Sequence, residues 1–108
     1  MGNFQNKVYE AIKKIPEGKV CTYGEIAKVC GKPKCGRIVG YIVWRVSDLK
    51  NIPVYRIVNR EGELTALGKI FNNQLQSELL EKEKIEVKDN KVDLKKYGYY
   101  FNKKNDDN

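Results

Sequence analysis

TYGEIAKVCGKPKCGRIVGYIVWRVSDLKNIPVYR, residues 22–56, is the stretch from which the fold is read. Thr22 and Glu25, three residues apart, carry the signature of a capping box, which predicts a helix starting at Tyr23. Gly31 suits the left-handed position past that helix, and Pro33 blocks its continuation. The spacing then predicts a second helix over residues 35–46. Its apolar residues Ile38, Val39, Ile42, Val43 and Val46 recur at helical spacing and predict one buried stripe. Lys34, Arg37, Tyr41 and Arg45 fall mostly off that stripe. Two helices joined by a Gly/Pro turn, the second with a cationic outer face, form a helix-turn-helix pattern. The pattern alone is weak evidence, because many small helical pieces share it.

On the N-terminal side, Phe4, Val8, Ala11, Ile12 and Ile15 predict a helix capped by Asn3 and ending near Ile15, where Pro16 and Gly18 mark a turn. Lys19, Val20 and Cys21 form a short extended piece suited to pair with another short strand. On the C-terminal side, residues 47–52 read as a loop. Residues 53–59 (PVYRIVN) read as a strand, with Pro53 at its start. Residues 60–63 read as a turn and residues 64–66 as a returning strand, together a hairpin or wing. Leu75, Leu79 and Leu80 predict a helix over residues 74–83. Residues 85–87 and 92–94 alternate around a turn at Asp89 and Asn90. Tyr97, Tyr99, Tyr100 and Phe101 form an aromatic cluster that packs the C-terminus onto the body or stacks on bases. The expectation is an α+β fold: a single small winged helix-turn-helix domain over residues 1–101, with three to four helices and a short β-hairpin wing. Residues 102–108 read as a polar flexible tail.

With 108 residues there is room for one domain and one core. Lysine and arginine number 21 against 14 acidic residues, giving +7. That excess favours a polyanionic partner, DNA or RNA, with plain solubility as the bland alternative. Three cysteines, Cys21, Cys30 and Cys35, without a CxxC argue against a disulfide framework or a zinc site, and reduced thiols fit a cytoplasmic protein. There is no signal-peptide pattern, and no apolar run approaches the roughly 18 residues of a membrane span. The chain contains no histidine, which excludes Ser/His/Asp and Cys/His catalysis within it.

TYGEIA, GKPKCGRIVG, IPVYRIVN and LLEKEKIEV, in that order and spacing, resemble the DNA-binding domain of the alkylguanine-DNA alkyltransferases. The resemblance covers about residues 4–97. Members of that family accept an alkyl group from the exocyclic oxygen of guanine onto a cysteine. Their Pro-Cys-His-Arg motif falls here on Pro53, Val54, Tyr55 and Arg56. Valine has no nucleophilic atom, so alkyl transfer onto this position is chemically impossible. Glu83 matches the glutamate that orients the family's histidine, which is absent here. This departure resembles the alkyltransferase-like branch, which lacks the cysteine and looks non-enzymatic. Tyr55 is unusual even there, and Val46-Ser47 stands where the family has Asn-Pro.

The resemblance implies no cofactor and no metal. Its implied partner is double-stranded DNA carrying alkylated guanine, which is flipped out, bound and flagged for nucleotide excision repair. Tyr23 matches the tyrosine that presses on the phosphate beside the flipped nucleotide. Arg37 matches the arginine that fills the vacated space in the duplex. Lys34, Cys35, Gly36 and Tyr41 complete the implied DNA-facing set. Val43, Pro53, Val54, Tyr55, Arg56 and Ile57 form the implied base pocket, and Thr65 and Ala66 fall near its lid loop. Read as residues only, Tyr23 is the first residue of a capped helix and Arg37 a solvated arginine. Two rivals stand beside this reading: alkyl transfer to Cys35 or another cysteine, and a winged-helix transcription regulator that reads sequence.

Overall fold

The computed structural model describes residues 2–46, 48–65, 70–71 and 74–101. Helix α1 spans Gly2–Lys13, strand β1 Cys21–Thr22, α2 Tyr23–Val29 and α3 Gly36–Trp44. A 3-10 turn over Val54–Arg56 leads into β2, Ile57–Val58. Strands β3 (Ile70–Phe71) and β4 (Gln74–Leu75) precede α4, Gln76–Lys82, and α5 covers Leu94–Tyr97.

The first three helices enclose the main core, built from Val8, Ile12, Ile15, Ile26, Ala27, Val39, Val43, Val54 and Ile57. Strands β1 and β2 are parallel, with Cys21 opposite Ile57 and Thr22 opposite Val58, so the short extended piece after α1 does find a strand partner. Val20, Val58, Leu64, Leu80, Ile85 and Val92 form a second cluster beneath α4 and the C-terminal segment.

Helix α1 begins before Asn3, which is therefore inside the helix rather than its cap. Its buried stripe runs on to Ile15, but Lys14 and Ile15 donate to Ala11 and Ile12, three residues back. A tightened last turn of this kind is common at helix ends. The Thr22 hydroxyl caps α2 by accepting from the Glu25 amide at 3.1 Å. Glu25 does not complete the capping box. Its carboxylate, 8% exposed, instead accepts from the Phe101 amide at 2.9 Å and fastens the C-terminus to α2. Gly31 takes φ +90°, the left-handed conformation its position predicted. Helix α3 ends at Trp44, two residues short of the expected end; it buries Val39 and Val43, with Val46 buried just past it, but leaves Ile38 47% exposed. Ile38 lies about 100° around the helix from Arg37 and so turns outward with it.

The strand expected over residues 53–59 shrinks to Ile57–Val58, because the residues before it are wound into the 3-10 turn. Among the described residues, Leu64 and Thr65 form no ladder with β2. Here Asn59 donates to Glu63, while the Leu64 amide donates to Asn90 and Glu63 bridges Lys91. The two-stranded antiparallel hairpin among the described residues is β3–β4, with Ile70 opposite Leu75. Ala66 and residues 102–108 lie outside the described residues. Short helix α5 stands where the sequence read only alternation and aromatic residues. The C-terminal aromatic segment is fastened to the body through its backbone, the Val20 amide donating to Tyr97 and the Tyr99 amide to Val20; half-buried Phe101 and Tyr97 pack against the first and second clusters, and Tyr99 meets Phe101 edge to face at 5.1 Å. Among the described residues, five helices and two two-stranded sheets make an α+β fold. Among the described residues no helix is long and apolar enough to cross a membrane.

Candidate nucleic-acid interface

Helix α3 has two faces. Val39 and Val43 point into the core. Arg37, Tyr41, Trp44 and Arg45 point outward and are exposed, as is Lys34 just before the helix. Positions 37, 40, 41 and 44 fall at i, i+3, i+4 and i+7, which places them on one side of a helix. With Tyr23 and Thr65 they line an open recess of about 700 Å³, and Gly36 completes its wall. Glycine at 36 and 40 leaves this wall low. A Cβ on Gly40 would come 3.8 Å from the Tyr23 ring, so a side chain there would fill space now open to a ligand.

Tyr23 begins α2, and its hydroxyl lies 2.7 Å from the Thr65 hydroxyl. Burial pushes its phenol up and the Thr65 bond offsets only part of that, so Tyr23 stays neutral. A neutral phenol at a helix start can meet a phosphate without charge repulsion. Thus the structure brings together Tyr23, Gly36, Arg37 and Tyr41 of the DNA-facing set, with Thr65 beside them. Lys34 and half-buried Cys35 lie at the entrance of α3 but do not line the recess.

The implied base-pocket residues are placed differently. Val54 is 1% exposed, Ile57 1% and Val43 6%, and Pro53 is buried. Their side chains belong to the core on the inner side of α3 and do not line the recess. Tyr55 and Arg56 are fixed in a buried network. The Tyr55 hydroxyl donates to Glu83 at 2.7 Å, and Arg56 donates to both oxygens of the same carboxylate, the shortest contact being 2.6 Å. Arg56 also donates to the Ile15 carbonyl at 2.8 Å. The Gly18 amide donates to Glu83 at 3.1 Å. Glu83 therefore has a tyrosine to orient in place of the missing histidine. Gln76, 4% exposed at the start of α4, donates to the Tyr55 and Ile57 carbonyls, both at 3.0 Å.

The electrostatics follow from these contacts. Burial pushes the Glu83 carboxyl up, but bonds from Arg56, Tyr55 and Gly18 outweigh it and hold the group below its ordinary 4.5. Burial, then the bond to Glu83, pushes Tyr55 up to about 12. Burial likewise pushes the Cys21 thiol up to about 12, helped by nearby Glu25, and raises Cys30. Neither thiol is poised to become a nucleophilic thiolate.

Trp44 was not among the expected site residues, yet it lines the recess and is 55% exposed. Its i+7 spacing from Arg37 was the available signal.

A profile described as "6-O-methylguanine DNA methyltransferase, DNA binding domain" matches residues 3–85. A Vibrio parahaemolyticus protein named DNA base-flipping protein is 38% identical over 100 residues, covering 92% of this chain and 98% of that one. Alkyltransferase-like protein 1 of Schizosaccharomyces pombe is 37% identical over 87 residues, 81% of each chain. The crystal structure of S. pombe Atl1 in complex with damaged DNA containing O6-carboxymethylguanine superposes with a TM-score of 0.82 at 34% identity, covering 92% of this chain and 96% of that one. With this match over most of its length, in sequence and in fold, the chain belongs to the family of the 6-O-methylguanine DNA methyltransferase DNA-binding domain.

Proposed function

We propose that this chain is a non-enzymatic DNA-damage-recognition protein that binds alkylated guanine by nucleotide flipping. The observation that carries the reading is the recess: Tyr23, Arg37, Tyr41 and Trp44 surround open space on the cationic outer face of α3. Phosphate contacts from Lys34 and Arg45 would hold the duplex and make binding salt-dependent. Arg37, near the start of α3, is placed to enter the duplex, offsetting part of the few kcal/mol that flipping a base costs. The family relation supports this: relatives are named for base flipping, and one was solved on damaged DNA.

No transfer step is assigned. Val54 offers only a branched hydrocarbon, and it is turned into the core. The bound lesion would be held and marked for repair proteins, with nucleotide excision repair the expected recipient. Binding is measured to duplexes with and without one methylated guanine at physiological salt. Tighter binding to the methylated duplex is expected, and equal affinities would reject lesion recognition. Mass spectrometry of the protein after incubation with methylated DNA should show no added methyl; a gain of one methyl on Cys35 would instead identify an enzyme.

A further inference from the structure

Tyr23 is held at both ends. A Cβ on Gly36 would come 3.9 Å from the Tyr23 Cβ, and one on Gly40 would come 3.8 Å from the Tyr23 Cε1. Positions 36 and 40 are one turn apart, so the phenol ring lies along one turn of α3. Its hydroxyl end reaches the Thr65 hydroxyl at 2.7 Å. Thr65 is itself firmly mounted. Leu64 before it is 3% exposed, the Leu64 amide donates to the Asn90 carbonyl at 3.0 Å, and the Asn90 side-chain amide donates to the Leu64 carbonyl at 3.0 Å. Threonine branches at Cβ, which restricts the directions its hydroxyl can take. A buried, twice-bonded neighbour and a stiff side chain therefore fix where the Thr65 Oγ1 stands.

The bond between the two hydroxyls is exposed, and water can serve both groups, so it adds little to stability. Its consequence is directional. A hydroxyl has one proton to give, and in the free chain either oxygen of the pair can be the donor. Ionised phosphate oxygens accept and do not donate. If Tyr23 gave its proton to Thr65, it would turn a lone pair toward the phosphate. With the 2.7 Å bond kept, the pair can serve a phosphate in one order only: Thr65 donates to the Tyr23 oxygen, and Tyr23 donates outward. Bonds chained in that order also polarise one another.

We infer that Thr65 is a positioning residue for DNA binding: by donating to the Tyr23 oxygen it aims the phenolic proton into the recess, at a phosphate oxygen of the docked duplex. This rests on the function proposed above and adds to it the group that orients Tyr23. Thr65 acts through Tyr23, so its contribution vanishes when the phenolic oxygen is removed.

A double-mutant cycle on the full chain tests this, with affinities for the methylated and unmodified duplexes read by fluorescence anisotropy at one salt concentration. Thr65→Val keeps the shape and removes the hydroxyl; it should weaken binding to the methylated duplex about threefold to tenfold. Tyr23→Phe should weaken it at least as much. On the Tyr23→Phe background, adding Thr65→Val should cost less than about twofold more. Thr65→Ser, which restores a hydroxyl, should recover affinity to within about twofold of wild type. Thr65→Val or Tyr23→Phe binding the methylated duplex as tightly as wild type would overturn the inference. So would a Thr65→Val loss that persists in full on the Tyr23→Phe background. Equal binding of the two duplexes by wild type rejects lesion recognition, while the cycle on either duplex still decides the role of Thr65. Absence of binding to both duplexes removes the proposed function and this inference together.

Discussion

Replacing Glu83 by glutamine keeps the side chain's shape and removes its charge. In the native chain the Arg56 and Glu83 side chains are 13% and 8% exposed and meet at 2.6 Å. Removing one member of a buried ion pair costs about 3–5 kcal/mol, because the other charge stays buried without its partner. Arg56 retains the Ile15 carbonyl, and Tyr55 can still donate to the new amide oxygen, so the lower end, about 3 kcal/mol, is expected. For a domain of this size that lowers Tm by about 15 °C. The charge also fixes the pH window. The folded carboxyl titrates below its ordinary 4.5, so the ion pair contributes its full stability above pH 4.5 and loses it as pH falls through the lower folded value. Thermal unfolding of wild type and Glu83→Gln, followed by circular dichroism from pH 7 down to pH 3, should show a gap that narrows below about pH 4.5. A Tm difference under about 3 °C at pH 7, or a gap that does not narrow in acid, would refute the assignment of this network as the fastening of the Tyr55–Arg56 turn.

Three further outcomes follow from named contacts. Arg37→Ala should erode the preference for methylated over unmodified duplex more than overall affinity, measured by fluorescence anisotropy; a uniform loss would make Arg37 a phosphate contact only. Lys34→Ala should weaken binding to both duplexes equally and reduce the slope of log affinity against log salt by about 1. Gln76→Leu strips the Tyr55 and Ile57 carbonyls of a buried donor and should cost about 2–4 kcal/mol in urea denaturation, with little change in denaturant slope.

The helix-turn-helix was legible because its determinants are local. A hydroxyl three residues from an amide, a glycine that can take φ +90°, and an apolar repeat of 3.6 residues act within one or two turns of chain. The same repeat also misassigned Ile38. A stripe drawn through every apolar residue from 38 to 46 is wider than the core can cover, and the core chose Val39, Val43 and Val46. Trp44 adds nothing to that buried stripe, and its signal lies on the other face, in the i+7 spacing from Arg37. The strands were harder still. Each has two residues, too few to establish a period of two, and β1 pairs with a partner 36 positions along the chain, Cys21 with Ile57.

Arg37 and Tyr41, one turn apart on α3, were legible as a cationic and aromatic outer face, and their neighbour Trp44 shares it. The replacement of sulfur by a hydrocarbon at Val54 is likewise a fact of composition at one position, and its chemical consequence needs no coordinates. What required the folded chain was every partnership closed across long separations: Tyr23 with Thr65, Tyr55 and Arg56 with Glu83, and Gln76 with the carbonyls of Tyr55 and Ile57. Groups 19 to 42 residues apart meet only after the core has formed, and many placements of the same polar groups are compatible with one pattern of letters. Capping and helical periodicity are short-range and can be read off neighbours; burial and hydrogen-bond satisfaction are properties of the whole packed chain.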